Sequence, residues 1–331
     1  HPLISDKYVL HVMPPGDGRS LLEDHASRHR VDYILVQRDC LVEDNLDGVL
    51  EWAKTQTVPI IYEIDDNILG IDEEHPEYAA YKSRISNIKR LCHQSSAVVV
   101  STPSLKKALS DLSSNIRVIR NSLDESLWFS PAGAKVSQKR TTAKEIRVGY
   151  MGTYTHGGDL DILKEVVPMA KDVLLHEHGI RLEFSMIGGQ KDPLLSKAWY
   201  NRIRIPKESG EYPEFVRWLR RSVDWDIAVA PLADTPLNQS KSELKFLEYT
   251  ALGAAGIYSR VGAYDQVIDH EATGLLVEAD STEQWLNALV RLSVDEKLRL
   301  RLKENALKVV LDQYLLKHNV NQWMSLFEQI K

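Results

Sequence analysis

The stretch KSELKFLEYTALG, residues 241–253, combines strong helix formers with two lysines where a helix would open. Cations at that end meet the partial positive charge of the macrodipole, which disfavours them unless an anion is present. Ser240 and Glu243 have the S-x-x-E spacing of a capping box, which makes Lys241 the first helical residue. Lys241, Lys245 and Glu248 then share one face at i, i+4 and i+7. At about 1.5 Å per residue, Glu248 lies roughly 10 Å along the axis from Lys241. A diphosphate at the amino end would meet free N–H groups, the dipole and two ammonium groups together. A carboxylate further along could accept hydrogen bonds from a sugar diol such as ribose. The length fits a nucleoside diphosphate. A surface helix with a Lys245–Glu248 pair at i, i+3 is the plainer alternative. Against it, the apolar run DIAVAPL just upstream puts the helix start at a strand's carboxyl end.

Two further stretches could carry chemistry. GYMGTYTHGGDLDIL (149–163) is a strand running through glycines into a helix that Asp159 would cap. Its glycines allow backbone amides close to phosphate oxygens, and His156 at the apex could donate to a phosphate or sugar hydroxyl. It is not G-x-G-x-x-G, so the dinucleotide fingerprint is absent. In VPIIYEIDDNIL (58–69) a buried strand delivers Glu63, Asp65 and Asp66 at its end. Adjacent carboxylates repel unless something binds them, so they would hold a divalent metal, act as a base, or hold acceptor hydroxyls. A helix N-cap pair is the structural alternative. Arg38, ending the preceding strand in VQRD, would sit nearby, and Gly16 in PPGDGR would approach a ligand from the opposite side.

These residues need elements to position them. YVLHVM (8–13), VDYILVQ (31–37), VPIIYEI (58–64), SAVVVS (96–101) and IRVIRN (116–121) read as buried parallel strands separated by amphipathic helices. The polar, basic stretch 132–145 reads as a linker, its four cations solvated rather than bound to phosphate or lipid. The second half repeats the pattern with IRVGYMG, RLEFSMIGG, DWDIAVAPL, AGIYS and GLLVEA as strands. A helix from about Leu160 ends at a Gly179 C-cap, and Ser281 to Gln284 forms a capping box. A helical tail runs from Asp295 to the end. The expected fold is α/β, with two doubly wound Rossmann-like domains facing a cleft. The expected boundaries are 1–131, a linker at 132–145, 146–311, and a terminal helix at 312–331 packing back on the first domain.

Composition narrows the class. A net charge of −6 argues against bulk nucleic-acid binding. Two cysteines, Cys40 and Cys92, exclude a disulfide scaffold and suit a reduced compartment. No apolar run reaches membrane-spanning length, and HPLISDKYVL lacks the basic start and apolar core of a signal peptide. The chain does not begin with Met, as a module of a larger polypeptide would not. RWLRR (217–221) could touch a membrane surface, although it reads better as a solvated helix face.

The run NQSKSELKFLEYTALG, followed by GAYDQVI and TGLLV, resembles the donor domain of GT-B glycosyltransferases, closest to the retaining family 4 group. The resemblance spans about 146–312, and more loosely the first half through VPIIYEIDD and AVVVSTPSLKKAL. It implies a nucleotide-diphosphate sugar, a UDP-sugar by preference, moved with retention to a saccharide or lipid-linked glycan acceptor. By position, Glu248 would bind the donor ribose, and Lys241, Ser242 and Lys245 the diphosphate, with Gly152, Thr153 and His156 lining it. Asp65, Asp66 and His156 would be the catalytic side chains, and Gly16, Arg38 and Glu63 the acceptor side. No cofactor and no metal are implied, because the nucleotide sugar is a substrate. Two departures stand out: the glutamate usual eight residues before the ribose-binding one is Ser240, and the usual arginine and lysine of the first donor loop are replaced by TYTHGGD. The K-S-x-L-K-x-L-E-Y pattern resembles a subgroup associated with bacterial surface polysaccharides, which implies a cytoplasmic enzyme at the inner face of the membrane. A metal-dependent transferase, a sugar-nucleotide epimerase and a non-catalytic nucleotide-sugar-binding module remain as alternatives.

Overall fold

The computed structural model describes residues 7–13, 18–41, 43–130, 144–153, 158–188 and 199–330. In chain order the first half carries α1 (Gly18–Ala26), β1 (Ile34–Gln37), α2 (Glu43–Gln56), β2 (Ile60–Ile64), α3 (Tyr78–Lys82), α4 (Ile85–Gln94), β3 (Ala97–Val100), α5 (Pro103–Ala108) and β4 (Ile116–Val118). The second half carries α6 (Glu125–Trp128), β5 (Glu145–Gly152), α7 (Asp161–His178), β6 (Arg181–Gly188), β7 (Asn201–Ile203), α8 (Tyr212–Ser222) and β8 (Ile227–Ala230). It continues with α9 (Pro236–Gln239), α10 (Leu244–Ala251), β9 (Ala255–Ser259), α11 (Ala263–Val267), β10 (Leu275–Val277), α12 (Thr282–Val294), α13 (Glu296–Gln313) and α14 (Leu316–Gln329).

Contacts divide the chain into two units. The first holds residues His1–Asn121, Gln239–Ser242 and Lys317–Lys331; the second holds Ser122–Asn238 and Glu243–Leu316. The chain thus first crosses between units at Asn121–Ser122, ahead of the stretch read as a linker, most of which lies outside the described residues.

The first unit is a parallel sheet in the order β1-β2-β3-β4. Its central strands β2 and β3 are buried on both faces because both are covered, whereas edge strand β1 leaves Leu35 and Gln37 exposed. Ile60, Tyr62, Ile64, Val98 and Val100 pack under the helices with Leu46, Ile88 and Leu105. The alternate residues Ile61, Ala97 and Val99 meet Leu326, Trp323 and Phe327 of α14. This is the reason the strands read as unbroken hydrophobic runs. YVLHVM is the exception: residues 8–13 form no strand, and Val9, Leu10 and Val12 are exposed. The stretch has β-propensity, but propensity yields a strand only where a neighbour completes the ladder.

The second unit is a six-stranded parallel sheet ordered β10-β9-β8-β5-β6-β7. One face packs on α7 and α12 through Leu163, Val166, Trp285 and Leu289. The other packs on α8 and α10 through Val216, Leu219, Phe246 and Leu247. The strand order reverses between β5 and β8, so the crevice of a doubly wound sheet opens at the carboxyl ends of that pair. Gly179 closes α7 in the left-handed conformation at φ 64°, and Ser281 accepts from the Gln284 N–H, both as the sequence predicts. Other expectations change. The tail breaks into α13 and α14 at Tyr314–Leu315, where Leu315 bridges Leu123 and both neighbours bond to Leu123. In the first unit α3 and α4 are separate helices with Ser83 and Arg84 between them, and β7 is a short, largely exposed edge strand with no apolar signal.

The ends of β5 and β6 meet as two glycines in register, Gly152 opposite Gly188. A Cβ on Gly188, at φ 74°, would lie 1.8 Å from the Gly152 carbonyl oxygen. Gly188→Ala therefore combines left-handed strain with a backbone clash and should destabilise by about 3 kcal/mol or more, read from urea unfolding.

Candidate active site

In the second unit the candidate residues gather at the β5–β8 switch point. Helix α10 starts at Leu244, not Lys241, and Glu243 holds the N-cap position without a side-chain cap bond. The predicted capping box does not form. The preceding residues are held elsewhere: the Ser240 carbonyl accepts from Thr102 Oγ1 at 2.9 Å, and Ser242 Oγ accepts from Asn121 at 2.9 Å. These contacts are made within the first unit, and they delay the helix by a turn. Lys241 is consequently not on the face of Lys245 and Glu248. It belongs to the first unit, where its charge acts on Asp65.

Glu248 is 7% exposed on α10. Burial pushes its carboxyl up to about 7, and Lys245 only partly offsets this. The Lys245 ammonium stands over the Tyr150 ring, 5.5 Å from its centroid. Tyr249, next to Glu248, locks the helix to the sheet: its hydroxyl accepts from Met151 N at 3.0 Å and faces the Met151 and Val229 carbonyls at 3.4 and 3.3 Å. The Tyr150 hydroxyl is buried without a hydrogen-bond partner. A Cβ on Gly152 would lie 2.2 Å from that hydroxyl, so only glycine fits beside it. Thr153 is exposed just beyond. Asp159 does not cap α7. Its Oδ1 accepts from Ala233 N and Asn238 Nδ2, both at 2.8 Å, fastening the loop after β5 to the segment after β8. The site thus offers a buried carboxylate, an ammonium, an unpartnered hydroxyl and an open glycine backbone. Tyr150 and Gly188 were not anticipated, because a tyrosine inside a strand and a second glycine at its neighbour's end look structural. His156 and Gly16 lie outside the described residues.

In the first unit the carboxyl ends of β1 and β2 build a charged cluster around Arg38. The Arg38 backbone is left-handed at φ 51°. Its N–H donates to the Glu63 carbonyl at 2.7 Å, and its carbonyl accepts from Tyr62 at 2.9 Å. The guanidinium lies 2.8 Å from Asp66 and 3.5 Å from Asp65, and donates to Tyr81 Oη at 3.1 Å. Asp39 pairs with Arg84. Burial opposes the charge of Arg38, but Asp66 and Asp65 overcome this and hold its pKa above the usual value. Burial, aided by Asp65, raises Glu63 to about 7, and burial with Asp66 raises Asp65. Arg38 Nε and Glu63 Oε2 are buried without hydrogen-bond partners. The predicted residues Arg38, Glu63, Asp65 and Asp66 therefore do meet. Tyr81 on α3 and Arg84 at the α4 N-cap, far along the chain, carry no sequence signal linking them. Among the described residues no group of three or more His, Cys, Asp or Glu side chains could hold a metal ion.

A carboxyl whose folded pKa is raised contributes stability below its unfolded pKa near 4.5 and loses it as pH rises through about 7. Glu248→Gln should accordingly stabilise the chain at pH 8 by about 3 kcal/mol and by under about 1 kcal/mol at pH 5, measured by urea unfolding at both pH values.

Comparison with known proteins places these observations. Residues 145–295 match the family model described as "Glycosyl transferases group 1". A stretch of 77 residues, 23% of this chain, is 32% identical to a D-inositol 3-phosphate glycosyltransferase of Saccharomonospora viridis and spans 18% of that protein. Among solved structures, sucrose-phosphate synthase from Thermosynechococcus elongatus superposes with a TM-score of 0.68 at 17% identity, over 94% of this chain and 77% of that one. HepE of Anabaena with UDP-glucose gives 0.64 at 13% identity, over 93% and 80%. A trehalose-6-phosphate synthase, studied for glycosyl transfer with retention, gives 0.64 at 13%, over 95% and 78%. The two parallel-sheet units are those of the GT-B fold, and the second carries the match to the group 1 glycosyltransferases.

Proposed function

We propose that the chain is a glycosyltransferase that takes a nucleotide-diphosphate sugar, a UDP-sugar by preference, in its second unit and a saccharide or lipid-linked glycan acceptor in its first. The observation that carries this reading is Glu248. A carboxylate buried at the switch-point crevice, beside a lysine and an open glycine backbone, is unfavourable for folding and useful for holding a ribose diol. Lys245, Tyr150 and the amides beyond Gly152 would take the diphosphate, with Thr153 and His156 along it. Charge grows on that diphosphate as the glycosidic bond breaks, so fixed donors stabilise the transition state more than the ground state.

In the first unit Asp65 and Asp66, held by Arg38, would accept hydrogen bonds from acceptor hydroxyls, with Glu63 beneath them. Lys241 and Ser242, expected at the diphosphate from the sequence, lie in the first unit, where the Lys241 charge acts on Asp65. Transfer with retention, independence of a metal, and absence of a resident cofactor belong to the same reading. So do a cytoplasmic setting at a membrane's inner face, a role in bacterial surface polysaccharide, and membership of a longer polypeptide. Support for retention comes from the resemblance and from the trehalose-6-phosphate synthase neighbour. Among the described residues no helix is long and apolar enough to cross a membrane.

Calorimetry with UDP and UDP-glucose tests the donor reading. The expected result is that Glu248→Ala weakens UDP binding by about 30-fold or more, the scale of a lost buried hydrogen-bonded carboxylate. Unchanged UDP affinity in that variant would sink the assignment. Turnover of the unsubstituted chain should persist in chelator, and retention is read from the anomeric configuration of the product.

A further inference from the structure

The second unit contains another concave surface, built from residues that play no part in the donor reading. The turn at Lys207–Ser209 and helix α8 border an open, shallow cleft of about 380 Å³. Its walls include Glu208, Ser209, Glu214, Arg217, Trp218 and Arg221. Trp218 is half-buried and backed by Phe215, whose ring lies 5.8 Å away, and both rest on the core beneath α8. Arg217 is tied to Glu214 one turn earlier on the same helix. Arg221, a further turn along, makes no ion pair with any of the described acidic side chains and is repelled by its neighbour Arg220.

The chemistry of these walls selects among ligands. A wholly apolar ligand would strip water from Arg217 and Glu214 without replacing it. A bare inorganic anion would gain nothing from the indole. A pyranose satisfies both features, since its C–H face lies on an aromatic ring while its hydroxyls donate to carboxylates and accept from guanidinium groups. The volume falls within the range of small-molecule clefts. We infer that this cleft is a saccharide-binding site, in which Trp218 is the platform and Arg221 takes an acidic substituent of the sugar. The inference goes beyond the donor reading and stands if that reading fails.

Saturation-transfer NMR and calorimetry, with glucuronic acid and glucose as probes, test it on the full chain. Glucuronic acid should bind at about millimolar strength, roughly 10-fold more tightly than glucose. Arg221→Ala should bring glucuronic acid down to the level of glucose, and Trp218→Ala should abolish both. Trp218→Phe, which keeps the packing, should retain weakened binding and controls for loss of fold. Three results would overturn the inference: no binding of either sugar at about 10 mM, equal glucuronic acid affinity in Arg221→Ala, or displacement of the sugar by UDP. Glu248→Ala separates the two readings, because it should lose UDP and keep glucuronic acid.

Discussion

A carboxylate buried with too little positive charge to balance it is the condition around which the second unit is arranged. Glu248 sits in the wall of the switch-point crevice, and its nearest cation already shares itself with the Tyr150 ring. Isolated burial of this kind tends to expel the side chain or protonate it. Here expulsion is blocked, because Tyr249 pins the same turn of α10 to the ends of β5 and β8. The rigidity of that hydroxyl junction keeps an uncomfortable group in position.

The first unit solves the opposite problem. Its carboxylates are crowded rather than isolated, and the Arg38 guanidinium lies among Asp65, Asp66 and Asp39, with Arg84 as a second partner of Asp39. Arg38 can reach them only because its own backbone adopts the left-handed conformation, held by bonds to Glu63 and Tyr62. Strain of this kind persists where surrounding contacts over-determine it. The two units therefore hold acidic groups by different means, one through enforced burial and one through a shared cation.

The sequence was legible where periodicity reported burial. Apart from the run 8–13, which forms no strand, and β7, which has no apolar signal, the strands of both sheets followed from apolar runs. The glycine and serine caps of α7 and α12 appeared where their chemistry required them. It was less legible where tertiary contacts override local preference. Ser240 and Glu243 have every local feature of a capping box, yet bonds from Thr102 and Asn121 draw residues 240–242 away from the helix. The positions of Glu248, Arg38, Glu63, Asp65 and Asp66 in the fold were readable because strand ends and helix faces place them. Tyr81, Arg84 and the Tyr150 hydroxyl were not, since their importance lies in which distant residues they meet.

The Asp159 fastening has a wider implication. One carboxylate oxygen receives two donors from the far rim of the crevice, the Ala233 amide and the Asn238 side chain. Asp159 and the segment after β8 cannot separate without breaking both bonds. The aperture of this crevice is thus set by a strap rather than by the sheet alone. A lineage changing the ligand admitted there would find the width hard to alter. Substituting the side chains that project into the opening would be the easier route.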